Sequence, residues 1–438
     1  MKFLVSLALI SCLGLAPLGA TAKGLDPATP SSTAQRLYSQ AQQDLLQIRV
    51  LVKNGRSQFS VGSGFFLGES DLVATNYHVV SQIALEPDTY VGEYLDTQGQ
   101  RGKVELLAVD VLRDLAIVRV DRQGTGFFKL PDADDKLAQG QYLYSLGNPL
   151  DLGFAISEGT YNGVVQRDFS DLLMFTGPIN PGMSGGPNIT ANGYIAGVNV
   201  SHRLDGELVS FLVPANYLRN LVNSLGDTAP DDFNPLIGAQ LLEHQSIMID
   251  KLLETPLTQK RLGDYLVPVR ESEQLRCWGS ADIRGRAGYT EDRIQCSMES
   301  QIFVSDELQT GHISIYHSMM RRTELDRWRF AREARESFSG SVYRSKHNTR
   351  VSGPECVENF VDLSNLRIRS VLCFAAYNKF EGLYNLTLLT VSTDDADTIL
   401  DSQLNVSGIS FENGLRLART YLENMAREVE AEVAEVQP

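Results

Sequence analysis

Alternating apolar and polar positions dominate the first half of the chain. Ile48, Val50 and Val52 recur at every second place, which is the period of a strand with one buried face. Short runs of the same kind follow at Val61 to Leu67, Leu72 to Ala74, Thr89 to Tyr94, Val104 to Val109 and Leu115 to Val120. Glycine and charge break them. A second set runs through Tyr142 to Ser145, Ala155 to Val165, Leu172 to Phe175, Tyr194 to Val200 and Leu208 to Val213. Two sets of short strands predict two small antiparallel barrels. Helical spacing frames them, with Ala34, Leu37, Tyr38, Ala41 and Leu45 ahead and Tyr217, Leu218, Leu221 and Val222 after Pro214.

Beyond Gly226 to Pro235, a linker by composition, the pattern changes. Cys277 precedes Cys296, then Gln301 to Ser305 and His312 to His317, which read as a hairpin. Cys356 precedes Cys373, then Leu383 to Ser392. The two halves suggest a weak tandem repeat with local pairs Cys277–Cys296 and Cys356–Cys373. Four cysteines allow three connectivities, so the pairing is an expectation. Arg321, Arg322, Arg327, Arg329, Arg332 and Arg335 alternate with acidic residues and read as a solvated helix face. Phe411, Leu415, Ala418, Leu422, Met425, Val429 and Val433 predict a closing helix with an acidic end.

The amino terminus reads as an address. Lys2 and the apolar run from Phe3 to Leu18 precede Ala20-Thr21-Ala22, a signal-peptidase pattern. The alternative is a lipid anchor on Cys12 in Leu9-Ile10-Ser11-Cys12, although the apolar run continues past it. No second long apolar stretch follows, so no other membrane helix is expected. Loss of Cys12 leaves an even number of cysteines, as disulfides in an exported chain require. The net charge of −15 over 438 residues argues against binding a nucleic-acid backbone. These readings divide the chain into a signal peptide (1–22), a flexible arm (23–33), a double-barrel unit (34–225), a linker (226–236) and a C-terminal domain (237–438).

The candidate chemistry centres on Gly177-Pro178-Ile179-Asn180-Pro181-Gly182-Met183-Ser184-Gly185-Gly186-Pro187. Glycines on both sides permit a tight turn that exposes the Ser184 hydroxyl. The amides of Gly182 and Ser184 are then placed to form an oxyanion hole. A serine hydroxyl needs a base, and the base an orienting carboxylate. His78, in Thr75-Asn76-Tyr77-His78-Val79-Val80, and Asp114, which opens Asp114-Leu115-Ala116-Ile117-Val118, fit these roles. Asp110 and Asp121 lie close enough in sequence to compete with Asp114. His312 and His317 fall on opposite faces of a strand, so no metal site is expected.

The order His78, Asp114, Ser184 is that of chymotrypsin-type proteases. Together with Gly62-Ser63-Gly64-Phe65, Leu146-Gly147-Asn148-Pro149 and Gly182-Met183-Ser184-Gly185-Gly186-Pro187, these segments resemble the trypsin-like serine proteases of the bacterial HtrA/Deg type. The resemblance covers roughly residues 45–225. It implies an all-β, chymotrypsin-like double barrel with the active site between the barrels; beyond it the resemblance fails, and the residues themselves read as a separate α+β, cysteine-containing domain. Related proteases commonly carry PDZ domains at that place, and no Gly-Leu-Gly-Phe-like loop is present in the sequence. The resemblance further implies that Asn199, Val200 and Ser201 form the strand that pairs with substrate, and that Phe211 and Leu212 line or narrow the specificity pocket. Pro178 stands six residues before the serine, where enzymes that cut after basic residues carry an acid. Small or medium apolar residues before the cut are therefore expected. Met183 departs from the asparagine or aspartate usual in that family.

The function this implies is an exported serine endopeptidase that works through an acyl-enzyme without metal or cofactor, in envelope protein quality control or processing. The alternative is a latent or partner-activated protein whose C-terminal domain carries recognition. Polypeptide substrates, a homo-oligomer or a regulatory partner on the C-terminal domain are the expected associations.

Overall fold

The computed structural model describes residues 31–132, 135–165, 169–202, 209–226, 228–282, 288–342 and 349–428. The expected signal peptide and the acidic end of the chain after Glu428 lie outside them. Helix α1 (Ser32–Ala41) opens on Ser31, whose hydroxyl accepts from the Ala34 amide at 3.1 Å. Its predicted apolar stripe, Ala34, Leu37 and Ala41, is buried.

Strands β1 (Leu45–Val52), β2 (Gln58–Phe66), β3 (Leu72–Thr75), β4 (Tyr90–Asp96), β5 (Arg101–Asp110) and β6 (Leu115–Val120) close a barrel in the order β1-β2-β3-β6-β5-β4. Helix α2 (Tyr77–Leu85) follows β3. Strands β7 (Tyr142–Gly147), β8 (Ala155–Val165), β9 (Leu172–Phe175), β10 (Pro187–Ile189), β11 (Ile195–His202) and β12 (Ser210–Pro214) close a second barrel, ordered β10-β11-β12-β9-β8-β7. The expected double barrel is thus present. Strand β10 escaped the sequence pattern because three residues after a glycine turn carry no readable period. Helix α3 (Ala215–Asn223) ends the unit with Leu218 and Leu221 buried.

Helix α4 (Asn234–Leu253) begins within the stretch read as linker and joins the two parts of the chain. Its first turns bury Ile237 and Leu241 in the core of the first barrel, and Ile249 belongs to the core that follows. That second core lies under a large antiparallel sheet. After β13 (Thr258–Leu262) and β14 (Tyr265–Val269) come β15 (Leu275–Asp282), β16 (Tyr289–Met298), β17 (Ile302–Ser305), β18 (Leu308–Thr310), β19 (His312–Arg322), β20 (Glu355–Leu363), β21 (Leu366–Ala376), β22 (Tyr384–Ser392) and β23 (Thr398–Ile409). Seven of them pair in the order β15-β16-β19-β23-β22-β21-β20. Strand parity sorts the faces. Ile313, Ile315 and Met319 of β19 pack with α4 and with α6 (Phe411–Glu423), the latter through Leu417, Ala418 and Tyr421. Met320 turns the other way, onto Phe330 and Ala334 of α5 (Arg327–Val342).

Three local expectations need correction. The Gln301–Ser305 run pairs with β18, closing a short hairpin, whereas β19 pairs with β16 and β23. Strand β19 runs eleven residues and is buried on both faces over His317 to Met320, as an interior strand with a neighbour on each side is. Arg321 and Arg322 end β19 and pair with Asp264 and Asp397, so only the later arginines sit on the helix. The last helix stops at Glu423. Met425 is buried, and β24 (Ala426–Arg427) turns back onto β14, with Arg427 held by Asp394 and Asp395.

Cys277 faces Cys296 across β15–β16, and Cys356 faces Cys373 across β20–β21. Both pairs are disulfides, with S–S distances of 2.00 and 2.02 Å. They staple the hairpins at the two opposite edges of the sheet, where each outer strand has only one neighbour to hold it. A crosslink between residues 19 apart restricts the unfolded chain. The double variant Cys277→Ala with Cys296→Ala should therefore lose about 3 kcal/mol, read as a lower denaturant midpoint. An unchanged midpoint would show that the ladder alone holds this edge.

Candidate active site

His78 is the second residue of α2, and Asp114 lies in the turn between β5 and β6. The Asp114 carboxylate does two things. One oxygen accepts from the His78 amide at 2.8 Å, capping the helix start, and the other meets His78 Nδ1 at 2.6 Å. Nδ1 donates to the carboxylate, so Nε2 is left unprotonated in the neutral ring, as a base requires. Asp114 adopts φ 53°, a left-handed conformation that aspartate tolerates better than most side chains. Its own carbonyl is fixed by Asn76 Nδ2 at 2.7 Å and the Tyr77 amide at 3.2 Å. The competing aspartates are engaged elsewhere, Asp110 with Arg113 and Asp121 with the Tyr94 hydroxyl. Helix α4 braces the same turn, because Gln240 accepts from the Val111 amide and donates to the Val109 carbonyl, both at 2.8 Å.

Ser184 sits in a loop whose peptide planes are fixed one by one. The Pro181 carbonyl accepts from Leu150 N–H at 2.8 Å, and the Gly182 carbonyl from Ser63 Oγ at 2.7 Å. The Met183 carbonyl accepts from the Gly186 amide at 3.0 Å, and the Ser184 carbonyl from the Ser63 amide at 2.8 Å. In a trans peptide the N–H points opposite to the C=O. The Gly182 and Ser184 amides therefore face away from these anchors, and neither has a protein acceptor among the described residues. They are the two donors expected of an oxyanion hole. The amides between and after them are used internally, Met183 N–H to Asn180 and Gly185 N–H to Asn199. Gly182 (φ 92°) and Gly185 (φ 82°) are required here. A Cβ on either would stand 2.4 Å from the Asn148 carbonyl or 2.3 Å from the Ser63 carbonyl. The Ser184 hydroxyl donates to the Val200 carbonyl at 3.2 Å, and no hydrogen bond joins it to His78 among the described residues. Catalytic contacts often close only when substrate binds.

Residues 62–198 match the family model described as a trypsin-like peptidase domain. This segment of the chain is a trypsin-like peptidase domain. Among curated proteins, the chain is 28% identical over 192 residues to the putative serine protease HhoA of Synechocystis sp. (strain PCC 6803), covering 41% of this chain and 46% of that protein. It is 30% identical over 173 residues to the putative serine protease HhoB of the same organism, covering 37% and 40%. It is 28% identical over 171 residues to a probable periplasmic serine endoprotease, DegP-like, of Rhizobium meliloti, covering 37% and 33%. The chain thus spans less than half the length of these relatives.

Within the peptidase domain, the departure at Met183 has a packing explanation. Its side chain is buried with Ile179, Leu143, Phe175 and Leu212, so the loop is anchored in the second barrel by apolar contact rather than by a carboxylate or amide. Asn199 has no exposed surface. Its amide donates to the Leu146 and Met183 carbonyls and its Oδ1 accepts from Ser145, so its side chain holds the loop. Val200 presents the carbonyl that Ser184 occupies. Ser201 stands opposite the half-buried Phe211 in the β11–β12 register. Leu212 packs beneath the loop and is fully buried. Pro178 is exposed, with its carbonyl accepting from Ser157 Oγ at 2.9 Å.

The sequence reading passed over Ser63 and Asn148 as individual residues, although both lie in the quoted motifs. Ser63 Oγ also accepts from the Asn148 amide at 2.9 Å. The signal for Ser63 was a polar residue between two glycines in a strand, which a strand alone does not need; Asn148, between Gly147 and Pro149 just past β7, carries no such signal. His317 is buried between Ser402 Oγ and the Pro268 carbonyl, each at 2.8 Å, and burial lowers its pKa to about 4. It is a neutral core residue, and the described residues include no cluster of side chains suited to a metal.

Burial lowers the pKa of His78, but the charge and hydrogen bond of Asp114 and the charge of Asp306 outweigh it. The ring is held above its ordinary value of 6.5. A general base must be neutral, so raising its pKa moves the loss of activity to higher pH. The acidic limb of kcat/KM for peptide hydrolysis should therefore have its midpoint above 6.5. The Asp114→Asn protein should lose roughly 10⁴-fold in kcat. A limb at or below 6.5 would mean that another group governs it.

Proposed function

We propose that this chain is an exported serine endopeptidase, with His78, Asp114 and Ser184 as its triad. The observation that carries the reading is that one fold supplies an imidazole oriented by Asp114 and a serine on a rigid turn beside two amides without protein acceptors among the described residues. His78 Nε2 takes the hydroxyl proton as Ser184 Oγ attacks the scissile carbonyl. The oxyanion receives the Gly182 and Ser184 amides. His78 then returns the proton to the leaving amine, and water resolves the acyl-enzyme by the same steps reversed. None of these steps calls for a metal or cofactor.

Substrates in this reading are polypeptides bound along β11 at Val200 and Ser201, with Phe211 bounding the pocket; Asn199, expected to pair with substrate, instead gives both backbone groups to Gly185 and Gly186. With Pro178 in place of an acid, residues before the cut are small or medium apolar ones. An envelope setting is supported by the periplasmic naming of a relative and by two disulfides. A lipid anchor on Cys12 is the variant of that setting. Quality control or processing is the role such a setting suggests, with a second subunit or regulatory partner on the C-terminal region. A second reading, latency until a partner or substrate arrives, is favoured by one observation, the Ser184 hydroxyl resting on the Val200 carbonyl.

Casein cleavage and fluorophosphonate labelling by the mature protein, beside Ser184→Ala, test both. Both activities in the wild type and neither in the variant are expected. Absence of both from the wild type would overturn the constitutively active reading and favour latency, and equal labelling of wild type and Ser184→Ala would overturn Ser184 as the nucleophile.

A further inference from the structure

Helix α2, which carries His78, is covered on its outer side by hairpin β17–β18 of the C-terminal region. Ile302, Val304 and Leu308 share one apolar cluster with Tyr77, Val80, Ala84 and Leu85. The buried Tyr77 hydroxyl donates to the Val304 carbonyl at 2.9 Å. The docking is tied at its margin by charge. Arg350 pairs with Glu86, just past the end of α2, and at 3.2 Å with Glu307 in the hairpin turn, while Lys379 reaches Glu86 at 2.9 Å.

Phe303 lies between the two buried hairpin residues, so strand alternation turns it the other way. It is only half-buried. Its ring stands edge-on to Tyr77, with centroids 6.5 Å apart and planes at 68°, and edge-on to His78, at 6.0 Å and 78°. The His78 side chain keeps 30% of its surface exposed, and Phe303 beside it is likewise partly open. The hydrogen bond to Asp114 fixes one edge of the imidazole. It does not stop the ring from tilting about that bond, whereas an aromatic neighbour in a T-shaped contact does.

We propose that Phe303 is a positioning residue for the catalytic base and a wall of the substrate cleft beside it, so that the C-terminal region completes the active site of the first barrel. This rests on the serine-protease reading above. Asp306, exposed in the hairpin turn, adds a second negative charge that acts on His78 besides Asp114. Arg350 acts on the neighbouring Tyr77 and is itself paired with Glu86 and Glu307.

The test uses the full-length mature protein. Phe303→Leu keeps the apolar contact with α2 and removes the ring. It should lower kcat/KM about ten-fold, mainly through kcat, with a thermal midpoint within about 2 °C of wild type. Phe303→Tyr should restore most of the rate, and peptide-library profiling of Phe303→Leu should show relaxed preference beside the scissile bond. Asp306→Asn should shift the acidic limb of kcat/KM to lower pH, because a negative charge that favours the imidazolium is gone. Wild-type kcat/KM and an unchanged profile in Phe303→Leu would overturn the proposal. So would a rate loss that tracks the thermal midpoint and is not rescued by Phe303→Tyr, since a merely structural contact behaves that way. NMR titration of the His78 ring protons in Ser184→Ala needs no turnover and separates this inference from the protease reading. There Phe303→Leu must displace the ring resonance by loss of ring current, and an unmoved resonance overturns the proposal even if the wild type is an active protease.

Discussion

A single residue of the first barrel, Ser63, crosses the seam to the loop that carries Ser184. Its amide donates to the Ser184 carbonyl and its hydroxyl to the Gly182 carbonyl. Because peptide units are planar, pinning these carbonyls also sets the direction of the amides around them. The contact is tight enough that Thr75, at the end of β3, supports it by donating to the Ser63 carbonyl at 2.7 Å. Thr75 is followed by Asn76, Tyr77 and His78, so the residues that brace the Ser184 loop run directly into the proposed base. Ser184 and His78 belong to different barrels, and this short polar seam holds them in one frame.

Much of this frame was legible in the sequence because its residues carry constraints that leave a trace. Gly182 and Gly185 have positive φ and no room for a Cβ. The Asp114 position needs a carboxylate on a turn before a fully buried strand, and Asp114-Leu115-Ala116-Ile117-Val118 has that form. Alternation marked the barrel strands because each has one face in a core. The C-terminal region gave less. Its strands were partly visible, but their pairing was not, since β17 and β19 have similar local composition and the turn at Asp306-Glu307 decides which neighbour each one takes. The ending of α6 was misread for a related reason: Met425 keeps its apolar place in the core although the backbone has already left the helix. Periodicity reports which side chains are buried and is blind to the backbone path that buries them.

The least legible feature is the shared core between the parts of the chain. Phe233, Ile237 and Leu241 of the connecting segment, Ile302, Val304 and Leu308 of the hairpin, and Tyr377, Phe380 and Leu383 all pack against the first barrel. Nothing in a linear pattern indicates that an apolar residue 200 positions away completes a given core. The cost of ordering such distant segments falls on chain entropy and is offset by the apolar surface they remove from water. The disulfides help by limiting the freedom of the sheet edges before those contacts form.

This arrangement is one-sided. Gln240 of α4 braces the turn that holds Asp114, and the β17–β18 hairpin lies on the helix that holds His78. The hydrogen bonds that fix the Ser184 loop come from Ser63, the Asn148–Leu150 segment and Asn199, all within the two barrels. The C-terminal region therefore bears on Asp114 and His78 and leaves the Gly182 and Ser184 amides to the barrels. A displacement of that region acts on proton transfer while the preorganised amides stay in place. For the proposed protease the expected kinetic signature is a change in kcat and its pH dependence, with the electrostatic stabilisation of the tetrahedral intermediate preserved.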